Sequence, residues 1–149
     1  MKNHMIDSVI KQLRDPDSNV VNVLDQFIKS SIKIINKNKE LQEEILDQNV
    51  IIQISITDIN FSFWLGASNG KVIYKKGINE DSTLRIEITK DLFIDMIRGE
   101  SFGIDAFMKG KLKASGSLSH GLLFNKIFRL VVKYQNQISK KNVRKSEKS

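Results

Sequence analysis

The residues able to do chemistry in this 149-residue chain are few: two histidines, scattered carboxylates and no cysteine. His4 lies near the N-terminus and His120 in the first turns of a predicted helix, and neither has a carboxylate or thiolate at metal-ligand spacing, so no metal is expected. A general base at His120 needs a nucleophile within reach and a group to orient its second ring nitrogen, and the sequence assigns neither. Glu87 and Asp105 are the carboxylates nearest to plausible pocket walls, but strand alternation turns Glu87 away from the apolar face, which leaves no acid–base pair. Gly66, Gly70 and Gly77 are spread through hairpins and not at a strand-to-helix junction, so they form no phosphate loop. Trp64 is a single aromatic on a polar sheet face, too little for base stacking, and no nucleic acid partner is expected. The lack of cysteine also excludes disulfides, thiolate zinc sites and iron–sulfur ligation and fits a cytoplasmic protein. What remains is wall material, the composition of a container or a docking module. The expectation is therefore a non-catalytic protein without a cofactor, and a small lipid enzyme using His120 is the weakest alternative.

The elements that position this wall material centre on Ala106 to Tyr134. AFMKGKLKASG (106–116) is followed by a long helix that Ser117 can cap. On a helical wheel Leu123, Phe124, Ile127, Phe128, Leu130, Val131, Val132 and Tyr134 cover an arc of about 200°, where one core needs little more than about 100°. The helix therefore needs two apolar neighbours: its own core, and a ligand, a partner subunit or another helix.

Upstream, Met5 to Leu13 shows helical spacing that Asp15-Pro16-Asp17 stops, and a second helix runs from Ser18 or Asn19 to about Asn36–Asn38. A helical turn over Glu40–Asp47 leads into strands at Val50–Asp58, from Phe61, at Lys71–Lys76 and over Leu84–Thr89, with Asn69-Gly70 as a hairpin turn. Asp91–Gly99 reads as a helix, Ala106–Lys109 as a turn and Lys111–Ser115 as a fifth strand. Alternation gives the strands one apolar and one polar face, which implies an α+β domain with helices on a single side of one sheet.

The chain divides into an N-terminal helical extension (1–19), one domain (20–138) and a basic tail (139–149) expected to be disordered. In the tail five basic residues oppose Glu147, which places more than half of the net charge of +7 there. Lys140, Lys141, Arg144 and Lys145 could make transient contact with an anionic membrane, or simply keep the chain soluble. No window is apolar enough to span a bilayer, and Met1 to Asp15 lacks a signal-peptide core.

From about Leu24 to Phe128 the chain resembles the sterol carrier protein family of lipid-transfer domains. The likeness is carried by the order of elements, by Asn69-Gly70-Lys71, by TKDLFIDMIRGE (89–100) and above all by AFMKGKLKASG. The resemblance implies a five-stranded mixed, mostly antiparallel sheet with helices on one face and an apolar tunnel between them for a sterol, a fatty-acyl chain or another apolar lipid. The walls so implied are Phe93, Ile97, Phe102, Phe107, Met108 and Leu112. From the last helix, Leu122, Leu123, Phe124, Ile127 and Val131 would join them. The runner-up reading is a dimerisation or accessory scaffold module, in which Phe124, Phe128 and Val132 meet a partner, such as a second copy in a homodimer, and no pocket exists.

Overall fold

The computed structural model describes residues 4–99 and 103–148, and side chains over 6–99 and 103–135. Helices α1 (His4–Arg14), α2 (Val20–Lys37) and α3 (Lys39–Ile45) precede strands β1 (Val50–Ile56), β2 (Phe61–Ser68), β3 (Lys71–Lys76) and β4 (Leu84–Ile88). Then come α4 (Lys90–Ile97), α5 (Gly103–Met108), β5 (Lys113–Gly116) and α6 (Leu118–Lys148). Side-chain caps start four of the helices: Asn19 accepts from Asn22 N–H, Asn38 from Leu41, Thr89 from Leu92 and Ser117 from His120. Each satisfies one of the orphan amides of a first turn.

The sheet order is β3-β2-β1-β4-β5, antiparallel throughout except for the parallel β1–β4 pair. Asn69 (φ 54°) and Gly70 (φ 76°) make the two-residue β2–β3 turn, whose positive dihedrals match the twist of the hairpin. The parallel pair forces residues 77–83 to cross from β3 over the outer face. Gln53, expected on a polar and exposed face, is instead buried under that crossover. Its amide donates to the carbonyls of Phe63 and Gly77 and accepts from Asn79 N–H at 2.7 Å, so the crossover is held down by one side chain.

On the inner face Ile52, Ile54, Ile56, Phe61, Phe63, Leu84, Ile86 and Ile88 form one core with Leu24, Phe27, Leu92, Phe93 and Met96 from the helices. Ile6, Ile10 and Leu13 join it, so α1 docks on the domain. A second cluster around Ile35, Leu41, Ile45, Val50 and Val72 is closed by Val131 of α6. The wide apolar arc of α6 is thereby explained: Phe124 and Phe128 serve the first cluster while Leu123, Ile127, Leu130 and Tyr134 serve the second.

Three stretches depart from the sequence reading. The expected turn at 106–109 is the end of α5, the fifth strand starts two residues later, and the helical backbone of α6 continues through the run expected to be a disordered tail. That run contains no proline or glycine, and five of its eleven residues are Lys or Arg, both good helix formers.

Two polar contacts fix α2 to the edge strand. The Asn36 amide both donates to Val72 C=O (2.9 Å) and accepts from Val72 N–H (2.8 Å), replacing a missing strand partner. Asp25, 4% exposed, accepts from Tyr74 O–H at 2.7 Å and pairs with Lys29 and Lys76, whose side chains are more than half exposed. Burial pushes the Asp25 carboxyl up, but the Tyr74 and Lys29 hydrogen bonds and the two ammonium charges outweigh it and hold it below its ordinary value; burial and the carboxylate push the Tyr74 phenol up. A carboxylate with a lowered folded pKa stabilises the fold above its unfolded value of 3.8, and that contribution is lost as pH falls through the folded pKa. We expect Asp25→Asn to remove part of the acid sensitivity below about pH 4, and Tyr74→Phe to cost about 1–3 kcal/mol at neutral pH by leaving the carboxylate underpaired. Urea unfolding of both variants between pH 2.5 and 7 checks this.

Candidate functional site

Between the inner face of the sheet and α2, α4, α5 and α6 lie two adjoining apolar chambers. The outer one, about 490 Å³, has Leu84, Ile86, Ile88 and Ala114 as its floor and Phe93, Met96, Phe107, Leu112 and Leu122 among its walls. That volume lies within the range of small-molecule sites. The inner one, about 110 Å³, is bounded by Ile28, Ile35, Val50, Leu65, Leu123, Ile127 and Val131.

Phe93, Phe124, Phe128, Ile54 and Phe63 belong to both walls, so a single layer of side chains divides the chambers. In that layer Phe93 meets Phe128 edge-on at 6.4 Å between ring centroids, and Phe124 packs on Phe128 at 6.0 Å. Phe27 backs Phe93 at 6.1 Å and 90°. Edge-to-face packing of this kind fixes ring positions with modest energy, about 0.5–1.5 kcal/mol per pair beyond burial.

Polarity is graded along the space. The inner chamber has one hydroxyl, Ser31, which already donates to Phe27 C=O at 2.9 Å. Ser115, Ser117 and Asn125 lie instead on the wall of the outer chamber. The space is therefore almost wholly apolar, with its few polar side chains at the outer chamber.

Of the wall residues expected from sequence, Phe93, Phe107, Met108, Leu112, Leu122 and Phe124 line the outer chamber and Leu123, Ile127 and Val131 the inner one. Ile97 does not reach either wall: one turn beyond Phe93 on α4, it is 1% exposed inside the main core. Phe102 lies outside the described residues. The strand floor at Ile54, Leu84, Ile86 and Ile88 and the helix positions Ile104, Leu118 and Gly121 are wall residues that sequence reasoning did not name. Alternation had already turned the four strand residues inward, so the signal for them was present.

His120 has a different part. Its Nδ1 lies 2.8 Å from Thr83 Oγ1, which also bonds both backbone groups of Ile51. This latch ties the start of α6 to the end of the crossover. Among the described residues no group of three or more His, Asp or Glu could hold a metal, and no helix is long and apolar enough to cross a membrane.

Fold and cavity together define a class: an α+β domain that encloses an apolar chamber between one mixed sheet and a helical cover. Residues 32–129 match the SCP-2 sterol transfer family, and the chain belongs to that family. Among solved structures, sterol carrier protein 2 from Yarrowia lipolytica in its apo form is similar at 20% identity and a TM-score of 0.56, over 78% of this chain and 95% of that one. The UbiJ-SCP2 ubiquinone synthesis protein matches at 13% identity and a TM-score of 0.60, over 74% and 96% of the two chains. The inverting sec-alkylsulfatase Pisa1 from Pseudomonas sp. matches at 16% identity and a TM-score of 0.51, but over 60% of this chain and only 14% of the sulfatase. These likenesses concern the fold. No curated protein matches the sequence.

Proposed function

We propose that the protein binds a single apolar lipid non-catalytically, a fatty-acyl chain, a sterol or a lipid of similar bulk, and carries or presents it. The observation that carries this reading is the outer chamber: about 490 Å³ of apolar space whose polar lining side chains are only Ser115, Ser117 and Asn125. Each sequestered methylene contributes about 0.8 kcal/mol, so a dozen yield roughly 10 kcal/mol, within the range needed to offset the cost of association. The family match and the likeness to sterol carrier protein 2 support the assignment.

A dimerisation or accessory module without lipid is the second reading, and the recurrence of this fold as a small part of the alkylsulfatase chain favours it. Native mass spectrometry of gently purified protein, with organic extraction of the same sample, separates the two. The expected result is a monomer carrying a stoichiometric adduct of lipid mass. A ligand-free dimer that takes up no fatty acid on incubation would overturn the lipid reading.

A further inference from the structure

Eight large hydrophobic side chains are exposed among the described residues, and five of them, Ile104, Phe107, Met108, Leu118 and Leu122, belong to the outer chamber. The other three, Leu46, Ile73 and Ile78, belong to neither chamber. Singly exposed apolar residues are ordinary, whereas a cluster of five at 39–80% exposure on two adjacent elements marks an interaction surface. Met108 at 80% and Leu118 at 75% are the most exposed, and they belong to α5 and the first turn of α6.

The charge beside this cluster is mainly positive. Residues 103–126 contain four lysines and one carboxylate, Asp105. Lys126 is engaged with Glu44 at 2.8 Å, and Lys113 stands opposite Glu87 in the β4–β5 register. That leaves Lys109 and Lys111, exposed on the turn that follows Met108, as the cations bordering the apolar cluster.

We propose that this face, the apolar residues of α5 and the start of α6 with Lys109 and Lys111 beside them, docks on an anionic lipid bilayer and opens the outer chamber directly onto it. An apolar cluster bordered by lysines is the pattern by which peripheral elements lie in a headgroup region. Continuity with the chamber selects a bilayer over a protein partner. A ligand entering the apolar space crosses this cluster, and a bilayer supplies that ligand at the same surface, whereas a protein seated there would cover the entrance. The proposal rests on the lipid reading of the chamber, but the two fail separately: a lipid adduct in solution tests the chamber, and vesicle attachment tests the face.

The full-length chain is floated with vesicles of phosphatidylcholine containing 30 mol% phosphatidylglycerol, and with phosphatidylcholine alone. Attachment is expected to the anionic vesicles, and Lys109→Glu with Lys111→Glu should lower it at least about tenfold while the lipid adduct persists, since neither lysine lines a chamber. Because the chain contains no cysteine, Leu118→Cys and Ile73→Cys each offer one unique site for an environment-sensitive fluorophore in an otherwise native chain. Blue-shifted emission on anionic vesicles is expected at 118 and not at 73. The proposal is overturned by no attachment, by equal attachment of the double charge reversal, or by a silent label at 118. Loss of attachment only when Lys140, Lys141, Arg144 and Lys145 are reversed overturns it as well, since those residues would then carry the contact. Concentration-dependent burial of the 118 label without vesicles would assign the face to a second copy or another protein.

Discussion

Gly121→Phe should empty the protein of lipid without unfolding it. Gly121 sits in the first turns of α6 with the outer chamber beside it, and a Cβ built there meets only Leu84 Cδ2, at an ordinary 3.8 Å. A benzyl group at this position has room because the space is otherwise left for a ligand. Glycine within a helix costs about 0.5–1 kcal/mol relative to good helix formers, so the substitution relieves a small penalty while it fills the chamber. We expect the lipid recovered by extraction to fall at least about tenfold, and the lipid-free Tm to stay level or rise by about 1–3 °C. Loss of lipid with preserved folding places the ligand under α6. Undiminished loading would remove it from the outer chamber and with it the central claim for this site.

The same geometry lets one substitution address one chamber. Phe93, Phe124 and Phe128 stand between the two spaces and Phe27 backs Phe93, whereas Gly121 lines the outer chamber and not the inner one. Gly121→Phe therefore acts on the outer space.

Most of the scaffold was legible in the sequence because it is written locally. Alternation of isoleucines and phenylalanines placed β1, β2 and β4, Asn69-Gly70 placed the hairpin, and Ser117 marked the start of α6. The over-wide apolar arc of α6 announced two neighbours, and two clusters meet it. What was not legible depends on distant chain. Gln53 looks like an outward residue until the crossover from β3 covers it. The six-residue α5 opens on glycine and buries only Ala106, so it has almost no helical signature of its own. Ile97 shares the apolar stripe of Phe93, and only the position of α4 over the sheet decides which of the two reaches the cavity.

Gly116→Ala should be among the most damaging single-methyl changes in the chain. Gly116 has φ +114°, and a Cβ there would lie 2.3 Å from the carbonyl oxygen of Thr83 and 3.1 Å from Leu84 Cα, contacts with backbone that no side-chain rotation can relieve. The dihedral strain and the forced displacement each cost about 1–3 kcal/mol, so a loss of about 3–5 kcal/mol is expected. At about 2–4 °C per kcal/mol for a chain of this size, Tm should fall by roughly 6–20 °C. The damage has a direction. Thr83 C=O also accepts from Ser117 N–H at 2.9 Å, Leu84 pairs with Gly116 at the end of β5, and Thr83 Oγ1 holds His120, so one displaced carbonyl loosens β5 and the start of α6 together. Hydrogen exchange should accelerate over β4, β5 and the first turn of α6 before it does so in β1–β3. Gly110→Ala is the matched comparison: φ is +72°, but nothing lies within 4 Å of the added methyl, so only the left-handed penalty of about 1–2 kcal/mol applies. Equal losses for the two variants would mean that the close approach at Thr83 contributes nothing. A larger loss at Gly116, with lipid loading falling alongside it, would show that the wall of the chamber formed by β5 and the first turn of α6 is held by that one contact.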